Sequence, residues 1–311
     1  MKRYLLVLLA VSLLFLASCE FFTEEPIEGN VYYINVGLDY QNSTIRDLQG
    51  TINDAEELHE ALEAIITRAK RTGVGYKMIQ RGNSAEDLLD TNYPSQGKIQ
   101  SRLAEVKGLA NENDLTIFTF SGHGEATTGR LVLAYSDGQN FRLAPEELLT
   151  WMADIPGKKL VILDSCYSGM FVDKSASSTN TVLNNSIAKF FETYYSSDPY
   201  KKPDLFVLTA SAHTDSYETN FVSKSNHNHG FFTYALLEAL GWSHPHEVAI
   251  TTVETKDPPA AENGRITVDG LFKYILKNQA INSRFILFSP QREFQHPIVT
   301  GGPLDLILFN L

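Results

Sequence analysis

Apolar positions along the chain fall into two alternating patterns. Val31 to Leu38 (VYYINVGL) is a continuous, mostly apolar run of strand length. After it, Ala55, Leu58, Leu62, Ile65 and Ile66 recur at three- and four-residue intervals and predict a helix over Ile52 to Arg71. The alternation then repeats. GYKMIQRG (75–82) reads as a strand, Gly97 to Leu109 as a helix and DLTIFTFSGHG (114–124) as a buried strand. RLVLAYSDG (130–138) reads as an edge hairpin. Pro145 to Met152 begins a helix with proline in its first turn, where the missing N–H costs nothing. KKLVILDSC (158–166) and PDLFVLTASA (203–212) are further buried strands, and GFFTYALLEAL (230–240) is a helix. This order predicts an α/β fold with a mostly parallel central sheet and helices on both faces. Ligand sites in such sheets form at the carboxyl ends of strands. SGHGE, DSCYSG and TASAHTDSYE, all small and polar, follow three of the apolar runs and read as turns at one rim.

Three stretches break the pattern. Residues 173–200, rich in Ser and Asn, read as a loop insertion with a short helix around Ile187 to Tyr195, and 243–265 (HPHE, KDPPAAENG) read as a second surface excursion. At the start, Lys2 and Arg3 precede an apolar run from Tyr4 to Leu16, shorter than the roughly 20 residues of a membrane span. LASC (16–19) follows and resembles the lipobox of bacterial lipoproteins, in which cleavage precedes the cysteine and lipid is added to it. The expected organisation is a signal peptide over 1–18, an acidic tether over 19–30 and one domain over 31–311. Lipid on Cys19 would hold the protein in a bacterial cell envelope, at the periplasmic face or the cell surface.

Charge narrows the partners. The 311 residues carry a net charge of −11, so no basic stripe is available for nucleic acid, and a lipid would be the only membrane attachment. The chain has 2 cysteines, and a lipidated Cys19 leaves Cys166 without a disulfide partner.

An unpaired thiol at a strand end is either packed away as a small, inert apolar side chain or used as a nucleophile. It then needs a base to take its proton and donors for the developing oxyanion. His123 in FTFSGHGE, flanked by Gly122 and Gly124, is the natural base, and the backbone amides of Gly124 and Cys166 are the natural donors. No third orienting side chain is evident. The paired histidines His227/His229 and His244/His246 lack a third ligand at fixed spacing, so no metal site and no cofactor are expected.

These motifs together resemble the clan of caspases and metacaspases, in which a His-Gly follows one strand and an Asp-x-Cys-x-Ser-Gly the next. LQGTINDA (48–55), LTASA (208–212) and HGFFTYALLEAL (229–240) are similar to further metacaspase motifs and occur in the same order. The resemblance implies a caspase-like three-layer sandwich and a cysteine endopeptidase acting on proteins or peptides, with His123 and Cys166 as the dyad. It also implies a substrate pocket lined by Asp54, Ser121 and Asp164. Leu48 stands where caspases place an arginine that binds an acidic side chain. Two pocket carboxylates instead suit Arg or Lys before the scissile bond. Only Asp173 and the distant Asp198 follow Cys166 where calcium ligands would be sought, so calcium dependence is not expected. Lys174, Lys189, Lys201 and Lys202 lie where related enzymes cut themselves. The competing readings are a catalytically silent caspase-fold module that binds peptides or partners, and a gingipain- or legumain-like protease or transpeptidase using the same dyad.

Overall fold

The computed structural model describes residues 29–41, 43–81, 89–125, 128–134, 141–167, 179–197, 204–210, 216, 218–220, 227–243, 254–255, 257–281, 295–302 and 304–311. The expected signal peptide, Cys19 and most of the tether lie outside them, as do Lys174, Lys201, Lys202, His244 and His246.

Strand β1 (Val31–Leu38) leads through helix α1 (Thr51–Arg68) to β2 (Gly73–Gln80), and α2 (Gln96–Leu109) leads on to β3 (Leu115–Gly124). Two short strands, β4 (Leu131–Val132) and β5 (Arg142–Leu143), precede α3 (Pro145–Ala153), β6 (Lys158–Tyr167), α4 (Thr179–Ser196) and β7 (Leu205–Thr209). Then come β8 (Glu218–Asn220), β9 (Asn228–Gly230), α5 (Phe231–Ala239), β10 (Trp242–Ser243) and β11 (Glu254–Thr255). The chain ends with β12 (Arg265–Thr267), α6 (Val268–Ile281), β13 (Ile298–Gly301) and β14 (Ile307–Asn310).

The central sheet runs β13-β7-β6-β3-β1-β2. Along this path the strands are parallel except β13, which runs against β7, and β4 and β5 extend the sheet antiparallel from β3. The chain moves from β1 outward to β2, then returns to the other side of β1 with β3. That reversal puts the topological switch at the carboxyl ends of β1 and β3.

Alternate residues of each strand feed two cores. Ile34, Phe118, Phe120, Val161 and Leu163 pack with α2, α3 and α4 through Leu103, Met152 and Ile187. Tyr33, Ile117, Leu160, Ile162 and Phe206 pack with α1, α5 and α6 through Leu62, Leu236 and Ile275. A fully buried side chain of this kind stabilises by about 1.5–3 kcal/mol, which is why strands apolar on both faces end up between two helical layers. The result is the expected three-layer sandwich. Among the described residues no helix is long and apolar enough to cross a membrane.

Two local expectations need correction. Residues 179–196, read as loop with a short helix, form an 18-residue helix whose Leu183, Ile187, Phe191 and Tyr194 are all buried. Helical spacing of four large apolar residues outweighs the poor helix propensity of the intervening Ser and Asn. The SGHG and DSC segments, read both as strand ends and as turns, are strand: β3 runs to Gly124 and β6 to Tyr167. Each extends the other, because the parallel ladder between them continues to Gly124↔Tyr167.

Candidate active site

The ladder between β3 and β6 sets the site. Ser121 pairs with Asp164, Gly122 with Ser165, and His123 with Cys166. The two chemical pairs are therefore two residues apart along the same two strands, at the carboxyl edge beside the topological switch.

His123 is held from the chain that follows β1. Its backbone N–H donates to Tyr40 Oη at 2.8 Å, and that hydroxyl donates to the Val132 carbonyl at 2.7 Å. The two rings pack with centroids 4.6 Å apart. Gly122 makes room for this arrangement, since a Cβ there would lie 2.6 Å from Tyr40 Oη. The imidazole Nε2 is 2.7 Å from the Arg46 carbonyl oxygen. A carbonyl only accepts, so Nε2 carries a proton, and in a neutral ring Nδ1 would be the basic nitrogen. The group that orients the ring is thus a backbone carbonyl, which no side-chain motif can reveal. His123 has 0% exposure.

The expected pocket residues come together. Asp54, Ser121 and Asp164 are all buried. Ser121 Oγ donates to Asp54 Oδ2 at 2.7 Å, joining α1 to β3. Asp54 also accepts from the Gly230 N–H at 3.2 Å and contacts His229 Nδ1 at 2.9 Å. Asp164 accepts from the backbone N–H and the hydroxyl of Thr233, at 3.2 and 2.8 Å, and from Ser216 Oγ. It thereby caps the start of α5, where an anion is favoured by the helix dipole. Gln295 Nε2 donates to Ser216 Oγ at 3.0 Å and closes the network. Gly230 stands between the two acids: a Cβ on it would lie 2.2 Å from Asp164 Oδ2 and 3.2 Å from Asp54 Oδ2.

Proximity and burial show in the proton affinities. Burial, then the charge of Asp54, raises the Asp164 carboxyl to about 7. Asp54 is also raised by burial, against the opposing pull of His229 and Ser121. Burial would lower His229, but hydrogen bonds and charge from Asp54 and Glu57 lift it to about 9.

The segment LQGTINDA has a physical reading position by position. Leu48 is buried, and the Gln49 and Gly50 amides donate to the carboxylate of Glu218 in β8 at 3.0 and 2.6 Å. Thr51 Oγ1 donates to the Leu38 carbonyl at 2.6 Å, and Asn53 Nδ2 to the Asn228 carbonyl at 2.9 Å. The motif binds the start of α1 to the β8–β9 pair and places Asp54 beside Ser121 and Gly230. One turn further along α1, Glu57 meets His227 and His229.

Gly124 and Cys166, expected as oxyanion donors, lie within strands, with Gly124 paired opposite both Tyr167 and Leu131. Lys189 sits in the middle of α4, a poor shape for a peptide that must enter a protease extended. Thr233 and Ser216, which hold Asp164, were not singled out in the sequence. Thr233 belongs to the quoted helix-start motif, whereas Ser216 is one serine among many.

The sequence matches the family described as the caspase domain over residues 30–256. The structure is similar to a structural-genomics target protein from Geobacter sulfurreducens, with TM-score 0.52 and 14% identity over 91% of this chain and 99% of that one. It is also similar to caspase-1 from Spodoptera frugiperda, with TM-score 0.50 and 13% identity over 88% of this chain and 86% of that one. At such identities the likeness is one of fold. No curated protein matches the sequence.

Proposed function

We propose, from the premise that this chain belongs to the caspase-domain family of cysteine-type peptidases, that it is an endopeptidase cutting after Arg or Lys. The observation that carries the reading is the pairing of His123 with Cys166 on adjacent strands, with the histidine proton held on Nε2 by the Arg46 carbonyl. In the proposed reaction the Cys166 thiol gives its proton to His123 Nδ1 and its sulfur attacks the scissile carbonyl carbon. The amides of Gly124 and Cys166 take the oxyanion. His123 then protonates the departing amine, and water, deprotonated by the same nitrogen, hydrolyses the thioester.

Selectivity follows from Asp164, two residues before Cys166 on β6, and from Asp54 of α1, held by Ser121 of β3. Asp54 and Asp164 put two carboxylates beside Gly230, a constellation suited to a guanidinium or ammonium and hostile to an acidic side chain. Nothing in this chemistry calls for calcium. We further propose that Cys19 carries lipid and tethers the domain to a bacterial envelope membrane. The direct test of the dyad is an arginine-ending acyloxymethyl ketone, an affinity label for nucleophilic thiols. Intact-mass and peptide analysis should find one label, on Cys166, and none in Cys166→Ala or His123→Ala. Labelling that persists in Cys166→Ala contradicts the assignment.

A further inference from the structure

We propose that Glu57, His227 and His229 form a site for a divalent transition metal, zinc by preference, which clips the β8–β9 pair onto α1 beside the acidic pocket. One ligand atom from each of the three residues lies within 4.8 Å of the others. The sequence hides this site because its parts are far apart: two histidines in an x-His-x-His stretch and a glutamate 170 residues earlier. The third ligand missing from local spacing arrives through the fold.

The pattern that supplies the ligands is ordinary. His227, immediately before β9, and His229 within it are two apart, and both side chains reach Glu57. Asp54 and Glu57, three apart on α1, share a helix face. Docking one element on the other therefore brings a carboxylate and two imidazoles to one point.

The geometry fits a metal. Ligands at about 2.0–2.1 Å from a tetrahedral zinc lie roughly 3.3 Å from each other. His229 Nε2 and Glu57 Oε2 are 3.4 Å apart. His227 Nε2 lies closer to Glu57 Oε1, in direct hydrogen-bonding contact, and would withdraw by a small side-chain rotation to admit the ion. Its ring stands 5.0 Å from that of His229 at 69°, so the two nitrogens approach from different directions.

The surroundings orient the ligands as the outer shell of a metal site does. His229 Nδ1 is held by Asp54 at 2.9 Å, which directs Nε2 toward Glu57. The Trp242 indole N–H donates to Glu57 Oε2 at 3.1 Å. His229 and Glu57 are 0% and 8% exposed and His227 is 25% exposed, giving a buried base with one open side. Two histidines and one carboxylate suit zinc or a neighbouring first-row ion, with water at the open position. The same Asp54 that orients His229 lines the proposed substrate pocket, so occupancy at one place is felt at the other.

This site is independent of the peptidase reading, and its test is kept so. The full chain carrying Cys166→Ala and His123→Ala, which removes a thiol–imidazole pair that could itself bind metal, is equilibrated with Co²⁺ or Zn²⁺ alone. The expected result is one bound equivalent per chain and a visible cobalt spectrum of four-coordinate type. Adding His227→Ala, at the exposed rim, should weaken binding at least tenfold, and Glu57→Gln should do the same. Zn²⁺ should raise the melting temperature of the double variant and leave that of its His227→Ala derivative unmoved. Circular dichroism confirms that each variant is folded. No bound equivalent, or the same equivalent with the same affinity in folded His227→Ala, overturns the proposal.

Discussion

His123 and Cys166 are register partners on two neighbouring parallel strands, β3 and β6. Two residues earlier, Ser121 and Asp164 are partners in the same ladder. A single backbone register therefore sets both the proposed nucleophile–base pair and the proposed specificity pair, and the spacing between them is that of one strand repeat.

Tyr40 positions the histidine without touching substrate. Tyr40→Phe removes the hydroxyl that accepts from the His123 N–H and donates to Val132. The orphaned buried groups cost about 1–3 kcal/mol, seen as a lower unfolding midpoint in denaturant. Peptidase kcat should fall roughly tenfold or more through misplacement of the imidazole, with KM little changed. An unchanged kcat would remove Tyr40 from the positioning role.

Asp164 gives the protein a pH dependence of known sign. Its carboxyl titrates at about 7 in the folded chain, because of burial and the charge of Asp54. In the unfolded chain it titrates near an ordinary value of about 3.9. The folded state thus binds more protons between about pH 4 and about pH 7, and stability contributed through Asp164 declines as pH rises across that window. Asp164→Asn should flatten the decline in melting temperature relative to the parent. A cationic substrate prefers the ionised pocket, so KM for arginine peptides should fall as pH rises through about 7, and not in the variant.

Gly230 has no room for a side chain. Gly230→Ala would push a methyl group to 2.2 Å from Asp164 Oδ2 and should cost more than about 3 kcal/mol, measured by thermal melting. Gly108→Ala in α2 is the contrasting change. Nothing lies within 4 Å of its built Cβ, and alanine there should stabilise by about 0.5–1 kcal/mol.

Cys19 can be tested in bacteria. Metabolic labelling with a clickable fatty acid should mark the full chain, and Cys19→Ala should abolish the mark and release the domain from the membrane fraction. A Cys19→Ala chain that still labels and still sediments would contradict the lipid anchor.

How far the fold can be read from the residues depends on how each element buries itself. Strands such as β6, with LVIL at 160–163 apolar on both faces, and helix α1, with its regular Leu58, Leu62 and Ile65, announce their type because both neighbours and period agree. Helix α4 does not: its buried residues are diluted by Ser and Asn, and composition suggests loop until the spacing of Leu183, Ile187 and Phe191 is given weight. The candidate site was legible as an arrangement of residues, in the register pairing of His123 with Cys166 and the clustering of Asp54 with Ser121 and Asp164. It was not legible where backbone or distance carries it. The Arg46 carbonyl has no letter in the sequence, and Glu57 stands far along the chain from the histidines it meets.

The most direct test of the whole account is cleavage of matched fluorogenic peptides ending in Arg, Lys or Asp by the mature protein, beside Cys166→Ala and with or without calcium. The account predicts release after Arg and Lys, none after Asp, no need for calcium, and a loss of at least about a thousandfold in Cys166→Ala. Cleavage after Asp alone, or activity that survives the alanine substitution, would contradict it.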